Sequence, residues 1–457
     1  MLDRVAPAHP LSVFPTATET LVSLRRHSLA ALALCVALAT TAACSGGTRS
    51  PSGRVPGSSL SSHSTTTTIP RRAGIDGTLV IGALVPISGA VAPIADSFTA
   101  PVKLAIDEMN FAGGVGDKPV GLAIGDDGSD AAAAIAAFTT LTDTDHVDAI
   151  VGPSSSDIAA ELIPPARKAQ VVICSGSNSA GALSTIDSDG YYFRTAPPDK
   201  LQAGAIAKLV IADGHRKPLI IAVRDSYGVP LATAVLRGLR ALGAPTARAV
   251  NFPPTGDPTA IVKRALRPAP DSVVLIGFPA ATAPVIRALA AAGKGPSQIP
   301  TYASDGLQAA DLGALVDQAF PAIVAGLKGT TPAGSPSGID HPFNARILAA
   351  GVEPFFSAAA YDCTILIGLA AVGAGTDDPA MIRRRFAANL TGKVDCSTFL
   401  DCRTLLAAHR TIHYRGASSR FEDWKGFEPG TGVYDIWTMG LDARPVTGAP
   451  TSQIMVP

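Results

Sequence analysis

The chain has 457 residues, of which 47% are hydrophobic and 16% charged, and its formal net charge is zero. The charged share is below the roughly 25% of an average soluble protein. There is no long basic run, which argues against a nucleic-acid partner, because phosphate binding needs clustered Lys and Arg. Setting aside an export segment and linker leaves about 380 residues, more than one core usually serves, so two domains are expected.

In chain order, the first informative stretch runs from Arg25 to Cys44. Arg25 and Arg26 precede a short apolar segment, then small residues, then a cysteine, which is the layout of an export signal. The apolar part is shorter than the ~20 residues a spanning helix needs, so cleavage is expected rather than a permanent anchor. Ala42-Ala43-Cys44-Ser45 resembles a bacterial lipobox, with Cys44 as the lipidated residue and Thr41 where Leu, Val or Ile is usual. An ordinary secretory signal is the alternative. Met1 to Leu24 has no clear role, and a misassigned start codon is one account of it. Residues 45–76 are rich in Ser, Thr, Gly and Pro, including Thr65 to Thr68. Such a segment cannot bury a core and is expected to act as a tether.

The body then alternates strand and helix signals. Residues 78–85, 120–124, 148–151 and 171–174 are short apolar runs that suit strands buried on both faces. Between them lie a helix with Val102, Ile106 and Met109 on one stripe, ending at Gly113-Gly114, and an Ala-rich helix over 131–141. The pattern repeats after Asp199, with strands predicted at 218–223, 248–252, 272–276 and 300–303. Alternation of this kind implies α/β parallel sheets with right-handed crossovers. A single sheet of nine or more strands is one solution. Two doubly wound lobes fit the length better.

Ligands of open parallel sheets bind beyond the carboxyl ends of the strands, and here those ends carry hydroxyls. Ser154-Ser155-Ser156 follow the third strand, and Ser175-Gly176-Ser177-Asn178-Ser179 the fourth. Free N–H groups and serine hydroxyls at a helix start can hold a carboxylate without Arg or Lys. Helix capping is the plainer reading of the same serines. Asp305, after the strand at 300–303, can pair with an ammonium or cap the helix beginning near Leu307. Tyr227 and Phe278 can line an apolar pocket or pack in a core.

Cys35 lies inside the signal, leaving four cysteines beyond Cys44. Cys396 and Cys402 are expected to form a disulfide closing a short loop, as in other exported chains. Zinc held by these two with His409 and His413 is the rival, although five intervening residues are wide for a finger. Cys174 and Cys363 sit in apolar runs and are expected as buried free thiols. Arg383-Arg384-Arg385 is expected to be a solvated face or a partner contact, and Asp126-Asp127 to cap or bond a loop. Gly113-Gly114-Val115-Gly116 lacks the Lys and Ser/Thr of a phosphate loop, and neither metal nor cofactor is expected.

Several segments in order carry a family resemblance: Ile81 to Gly89, Asn110 with Gly113 to Gly116, Asp126-Asp127, and Val151-Gly152-Pro153 with Ser156. Further on are Phe193-Arg194-Thr195 with Asp199, Asp225 to Gly228, Tyr361-Asp362, and Tyr414 to Gly416. On these the chain resembles substrate-binding lipoproteins of ABC importers, of the type I periplasmic-binding fold and the leucine/isoleucine/valine-binding group. The resemblance spans about Gly77 to Thr438. It implies two lobes joined by three hinge crossings, near Pro197, Lys328 and His413. Lobe 1 would comprise residues 77–197 and 329–412, and lobe 2 residues 198–328 and 413–457. It also implies that Ser156, Ser177 and Ser179 contact the ligand, that Asp305 takes an amino group in place of the usual Glu, and that Tyr227 and Phe278 line the pocket. Ile94 stands where the family often has tyrosine.

The leading expectation is therefore an exported receptor, held on the outer face of the cytoplasmic membrane, that passes a branched-chain or other apolar amino acid to an ABC permease. A sensor of amides, urea or similar small molecules, without transport, is the alternative. A hydrolase is the third class: Ser177 to Gly181 faintly resembles a nucleophile elbow but lacks its first glycine. His146, His215 and His341 show no placement as a base, and no enzymatic activity is expected.

Overall fold

The computed structural model describes residues 74–89, 91–334, 336, 341–352, 356–448 and 452–457. The export signal, Cys35, the lipidation candidate Cys44 and most of the tether lie outside the described residues. The described residues form one compact unit, built on two sheets.

The first sheet holds β1 (Val80–Val85), β2 (Gly121–Asp126), β3 (Ala149–Val151), β4 (Val172–Ser175) and β5 (Tyr192–Arg194), in the order β2-β1-β3-β4-β5 and parallel throughout. Its helices are α1 (Ala95–Phe111), α2 (Ala131–Asp143) and α3 (Ser156–Ala169). Successive residues of β1 feed opposite faces, as the pleat requires. Ile81, Ala83 and Val85 join one core and Leu84 the other.

The chain then passes to α4 (Asp199–Ala212) and a second sheet. This contains β6 (Pro218–Val223), β7 (Arg248–Phe252), β8 (Ser272–Ile276), β9 (Thr301–Ala303) and β10 (Lys328–Pro332). The intervening helices are α5 (Gly228–Ala241), α6 (Thr259–Ala265), α7 (Pro279–Ala291) and the short α8 (Leu312–Val316). β10 runs parallel to β9, so it belongs to this sheet. The crossing expected near Lys328 therefore falls later, after Pro332.

The chain returns to lobe 1 with α9 (Pro342–Ala349), α10 (Ser357–Ala374), α11 (Pro379–Phe386), β11 (Val394–Cys396), α12 (Phe399–Ala407), β12 (Ile412–Tyr414), β13 (Trp424–Lys425) and β14 (Glu428–Pro429). Tyr414, Ala417 and Phe421 are buried in the lobe 1 core. The third crossing, expected near His413, accordingly falls between Pro429 and Gly432. Beyond it β15 (Gly432–Met439) pairs antiparallel with β10, and β16 (Pro445–Thr447) and β17 (Ile454–Val456) pair with β15. The three connections run side by side, since Thr195, Pro197, Pro332, Gly334, Pro429 and Gly432 line one small cavity.

α10 is long and apolar enough to cross a membrane by composition, but 83% of it is buried inside lobe 1. Its Asp362 is fully buried and accepts four bonds: Tyr414 Oη and Ala417 N on Oδ1, Ser418 N and Ser418 Oγ on Oδ2. Tyr361, the neighbouring residue, donates to Glu108 at 2.8 Å. These bonds fasten the segment leading to the third crossing onto the lobe 1 core.

The cysteines correct one expectation. Cys174 on β4 and Cys363 on α10 are joined to each other, 189 residues apart in sequence. They sit in apolar runs because the bond is buried between sheet and helix. Cys396 and Cys402 are joined as well, which leaves neither thiolate for zinc with His409 and His413. Alkylation of the unreduced, denatured mature protein is expected to label none of these four cysteines. Replacing Cys174 and Cys363 together by alanine should lower unfolding stability by about 2–5 kcal/mol, the range for loss of a native disulfide, read from denaturant midpoints.

Candidate ligand-binding cleft

The loops after β3 and β4 are sewn together by their own polar side chains. Ser175 Oγ donates to Pro153 O at 2.9 Å, Ser177 Oγ to Ser154 O at 2.8 Å, and Asn178 Nδ2 to both carbonyls at 3.1 Å. Ser156 Oγ accepts from Ala180 N at 3.3 Å. Its own proton therefore stays available for an anion in the cleft. Ser177 has committed its proton and keeps lone pairs. Ser155, at the N-cap of α3, makes no side-chain capping bond, so it does not satisfy the helix's first-turn N–H groups. Gly176 is required by packing, because a Cβ there would meet Ala360 N at 2.4 Å.

Asp126 and Asp127 bond loops. Asp126 takes Ser88 N and Oγ, and Asp127 takes Ser129 N and Ser154 Oγ. Burial pushes the Asp127 carboxyl up, while Ser129 and Ser154 oppose that shift. Ile94 ends a 3-10 turn and precedes α1.

On lobe 2, Asp305 opens the turn after β9 and is 7% exposed. Its Oδ1 accepts Tyr227 Oη at 2.8 Å and Gly306 N at 2.9 Å. Burial raises its carboxyl above the ordinary range, and the bonds from Tyr227 and Gly306 counter this in part. The Tyr227 ring lies 5.0 Å from that of Phe278, which precedes α7 and is 51% exposed. Tyr227, Phe278 and Asp305 thus form one patch of lobe 2. Ser156, Ser177 and Ser179 cluster on lobe 1. The lobes meet where Ser226 Oγ donates to Asp157 Oδ1 at 2.7 Å.

Two residues join the site without having stood out in the sequence as site residues. Arg194, at the end of β5, is fully buried. It donates to the carbonyls of Asn178 and Ala180 at 3.0 and 2.9 Å, to Ser184 Oγ, and to Glu428. Lys200 of α4 takes the other Glu428 oxygen at 2.7 Å. Burial works against the Glu428 charge, yet Arg194, Lys200 and Ser184 hold its carboxyl below the usual range. Asp199, the first residue of α4, is the other; its main-chain N–H donates to Ser179 O at 2.8 Å. Both lie in a segment that carries the family resemblance, but an arginine after two aromatics reads as a strand end and an acid after Pro-Pro as a cap, so the sequence assigns neither a site role.

The basic triplet Arg383 to Arg385 divides between two roles. Arg383 stacks 4.7 Å over the Tyr191 ring and donates to Asp189 O, which makes it a packing residue of lobe 1. Arg384 and Arg385 are exposed, as a solvated face requires.

A family described as periplasmic binding protein matches residues 78–420. The chain belongs to that family. Among curated relatives, the substrate-binding protein BasB of a chemotactic signal transduction system in Halobacterium salinarum is 27% identical over 380 residues, covering 80% of this chain and 89% of that protein. A Leu/Ile/Val-binding protein of Rhizobium johnstonii is 27% identical over 36% of this chain and 45% of its own length. Among solved structures, a leucine-binding protein of Thermotoga maritima superposes with a TM-score of 0.65 at 18% identity, covering 83% of this chain and 99% of that one. A branched-chain amino acid transporter substrate-binding protein from Streptococcus pneumoniae, in complex with isoleucine, gives 0.62 at 21% identity, covering 81% and 100%. The fold of this periplasmic binding protein is the type I periplasmic-binding fold.

Arg194→Ala should cost about 3–5 kcal/mol of stability, because it leaves the buried Glu428 carboxylate with only the half-exposed Lys200 as counter-charge and removes the bonds to Asn178, Ala180 and Ser184. Urea unfolding with the parent as reference measures this. An effect below about 1 kcal/mol would show that the buried pair does not brace the 178–184 segment.

Proposed function

We propose that this chain is an extracytoplasmic receptor of an ABC importer that captures a small amino acid, branched-chain or otherwise apolar, or a related compound, by closing its lobes on it. One observation carries the reading. A hydroxyl-lined pair of loops ends strands of lobe 1, a buried Asp305 with two aromatic rings ends strands of lobe 2, and the lobes touch there through Ser226 and Asp157. The two ends of a zwitterion need these two chemistries. Ser156 and the α3 N-terminus would hold the carboxylate, Ser177 and Ser179 would line the first lobe, and Asp305 would hold the ammonium. Tyr227 and Phe278 would flank the side chain. Binding and closure are then one event. The names of the similar proteins, several of which concern leucine or isoleucine, support this ligand class.

In the same proposal, Cys44 carries lipid, residues 45–76 tether the body to the outer face of the cytoplasmic membrane, and the permease is the partner. Two cysteine pairs in the fold suit an oxidising compartment. No turnover is proposed: His215 packs on Tyr302, and His341 bonds Ser397 O and packs on Tyr361, so neither backs a cleft serine. A sensor without transport is the second reading, favoured by the similarity to a chemotactic substrate-binding protein over 80% of the chain.

A soluble form lacking the signal and tether, stripped of carried ligand, should be stabilised by leucine, isoleucine or valine. At about 100 times the dissociation constant the gain is ~2.7 kcal/mol. Asp305→Ala should abolish most of it. A flat thermal response to every amino acid, with a response to amides or urea, would replace the ligand class. Loss of uptake of the bound solute on gene deletion would separate transport from sensing.

A further inference from the structure

Strand–helix–strand units of one hand put the amino ends of the strands and the last turns of the helices on the side of the sheet away from the cleft. On lobe 2 that edge is basic. After α4 come Arg216 and Lys217. α5 has Arg240 in its last turn and leads to Arg248, the first residue of β7. α6 has Lys263 and Arg264 in its last turn and is followed by Arg267. Asp213 and Asp271 are the acids of the same stretches. The strands that follow are neighbours in the sheet, with β6 between β7 and β8. Helix C-termini favour cations in general, and lobe 1 is the internal control. There the stretches from the last turns of α1, α2 and α3 to the next strands hold Lys118, Arg167 and Lys168, outnumbered by Glu108, Asp117, Asp143, Asp145 and Asp148. The shared topology therefore does not impose the basic edge.

Hydrogen bonds join the three stretches of lobe 2 into one surface. Asp271 Oδ2 accepts the main-chain N–H groups of Arg216 and Lys217 at 2.6 and 2.8 Å, and Thr246 Oγ1 donates to Arg216 O at 3.1 Å. Arg240 donates to Ala247 O at 3.2 Å, and Arg248 to Ala265 O and Pro268 O at 2.7 and 2.5 Å. Bonds to carbonyls hold these guanidiniums in place and leave their charge uncancelled. Asp213 is taken by Lys328 and Tyr302. Among the described residues, none of the bases from Arg216 to Arg267 forms an ion pair, whereas on lobe 1 Arg167 pairs with Asp187 at 2.6 Å. Leu242, in the turn between Arg240 and Arg248, is 43% exposed.

We propose that this edge of lobe 2 is a membrane-facing surface that rests on the headgroups of anionic phospholipids. Unpaired cations around an exposed leucine match a plane of phosphates above an apolar layer. The surface uses the location proposed above and not the ligand class. For a flexible chain the length of residues 45–76 the root-mean-square reach is ~30 Å, against a radius of gyration of ~20 Å for a body of this size. A body held on such a chain meets the bilayer repeatedly, and attraction to the headgroups acts within a Debye length of it. The cleft lies at the carboxyl ends of the same strands, so contact at the amino edge leaves it open to solute. No run of the sequence displays this surface, because its bases meet only through the fold.

Vesicle flotation tests this with residues 45–457, which lack the export segment and Cys44. Vesicles of equimolar phosphatidylglycerol and phosphatidylcholine should bind the protein at least about tenfold more tightly than pure phosphatidylcholine at about 50 mM salt, and release it at about 300 mM. Lys217→Glu combined with Lys263→Glu and Arg264→Glu, all exposed, should weaken binding to the anionic vesicles by at least about tenfold. Its melting temperature should match the parent's. The same change of charge on lobe 1, Lys168→Glu with Arg384→Glu and Arg385→Glu, should stay within about twofold of the parent, because charges beyond a Debye length from the lipid are screened. Equal loss in the two triple variants would show that only net charge is read, and it overturns the proposal. Equal binding of the parent to both kinds of vesicle overturns it without any variant. Tighter binding to soluble polyphosphate or duplex DNA than to the vesicles, at equal phosphate, overturns the assignment to lipid. Leucine binding by the parent is measured apart from all of these, so the receptor reading stands or falls separately.

Discussion

A guanidinium with no solvent must find acceptors for its N–H groups inside the protein, and Arg194 finds them in three parts of the chain. It binds the backbone of the serine-rich loop at Asn178 and Ala180, the hydroxyl of Ser184, and Glu428 just before the last crossing. Lys200 brings the first helix of lobe 2 to the same carboxylate. The conformation of the loop that carries Ser177 and Ser179 is therefore tied to the geometry of the hinge. Loss of Glu428 would leave the Arg194 charge buried without a counter-charge, so the loop, the strand end and the last crossing are adopted together.

The two sides of the cleft differ in how far they are satisfied. Loop-to-loop bonds consume most of the serine protons on lobe 1, leaving a few defined groups for a ligand. On lobe 2 the reverse holds: Asp199, Gln202, Ser304, Thr330 and Tyr434 keep unused polar atoms in the interior. Under the proposed closure, a solute that satisfies the second lobe would be favoured over closure on nothing.

β1, β3, β4, β6 and β8 were legible because they are apolar runs buried on both faces. β6, β7 and β8 fall at the residues predicted, and β1 to β4 within about two of them. β2 and β7 are edge strands, largely half-buried, and were legible from the turn signals around a shorter apolar stretch. β5 and β10 gave no such run: one is Tyr-Phe-Arg and the other Lys-Gly-Thr-Thr-Pro. Their place comes from neighbours distant in sequence; without β10 the second crossing is expected too early, and the third is expected too early because the burial of Tyr414, Ala417 and Phe421 in lobe 1 depends on that lobe's distant elements. Cys174 and Cys363 show the same limit, since apolar context describes a buried disulfide as well as a free thiol. The positions of Ser156, Ser177, Ser179, Tyr227, Phe278 and Asp305 followed from strand ends and resemblance. Asp199 needed the structure, because its unbalanced charge is a property of what surrounds it.

The return of the chain has a consequence for the order of assembly. Lobe 1 needs α10 and β12 to cover its sheet, and lobe 2 needs β15 beside β10. The last strand, β17, packs Val456 against Gly204 on α4, where a Cβ would come within 2.9 Å. Neither core is complete while synthesis is only half done. A nascent chain of this design completes its lobes only when its late strands emerge, and the export proposed above would thread a chain whose lobes are not yet complete.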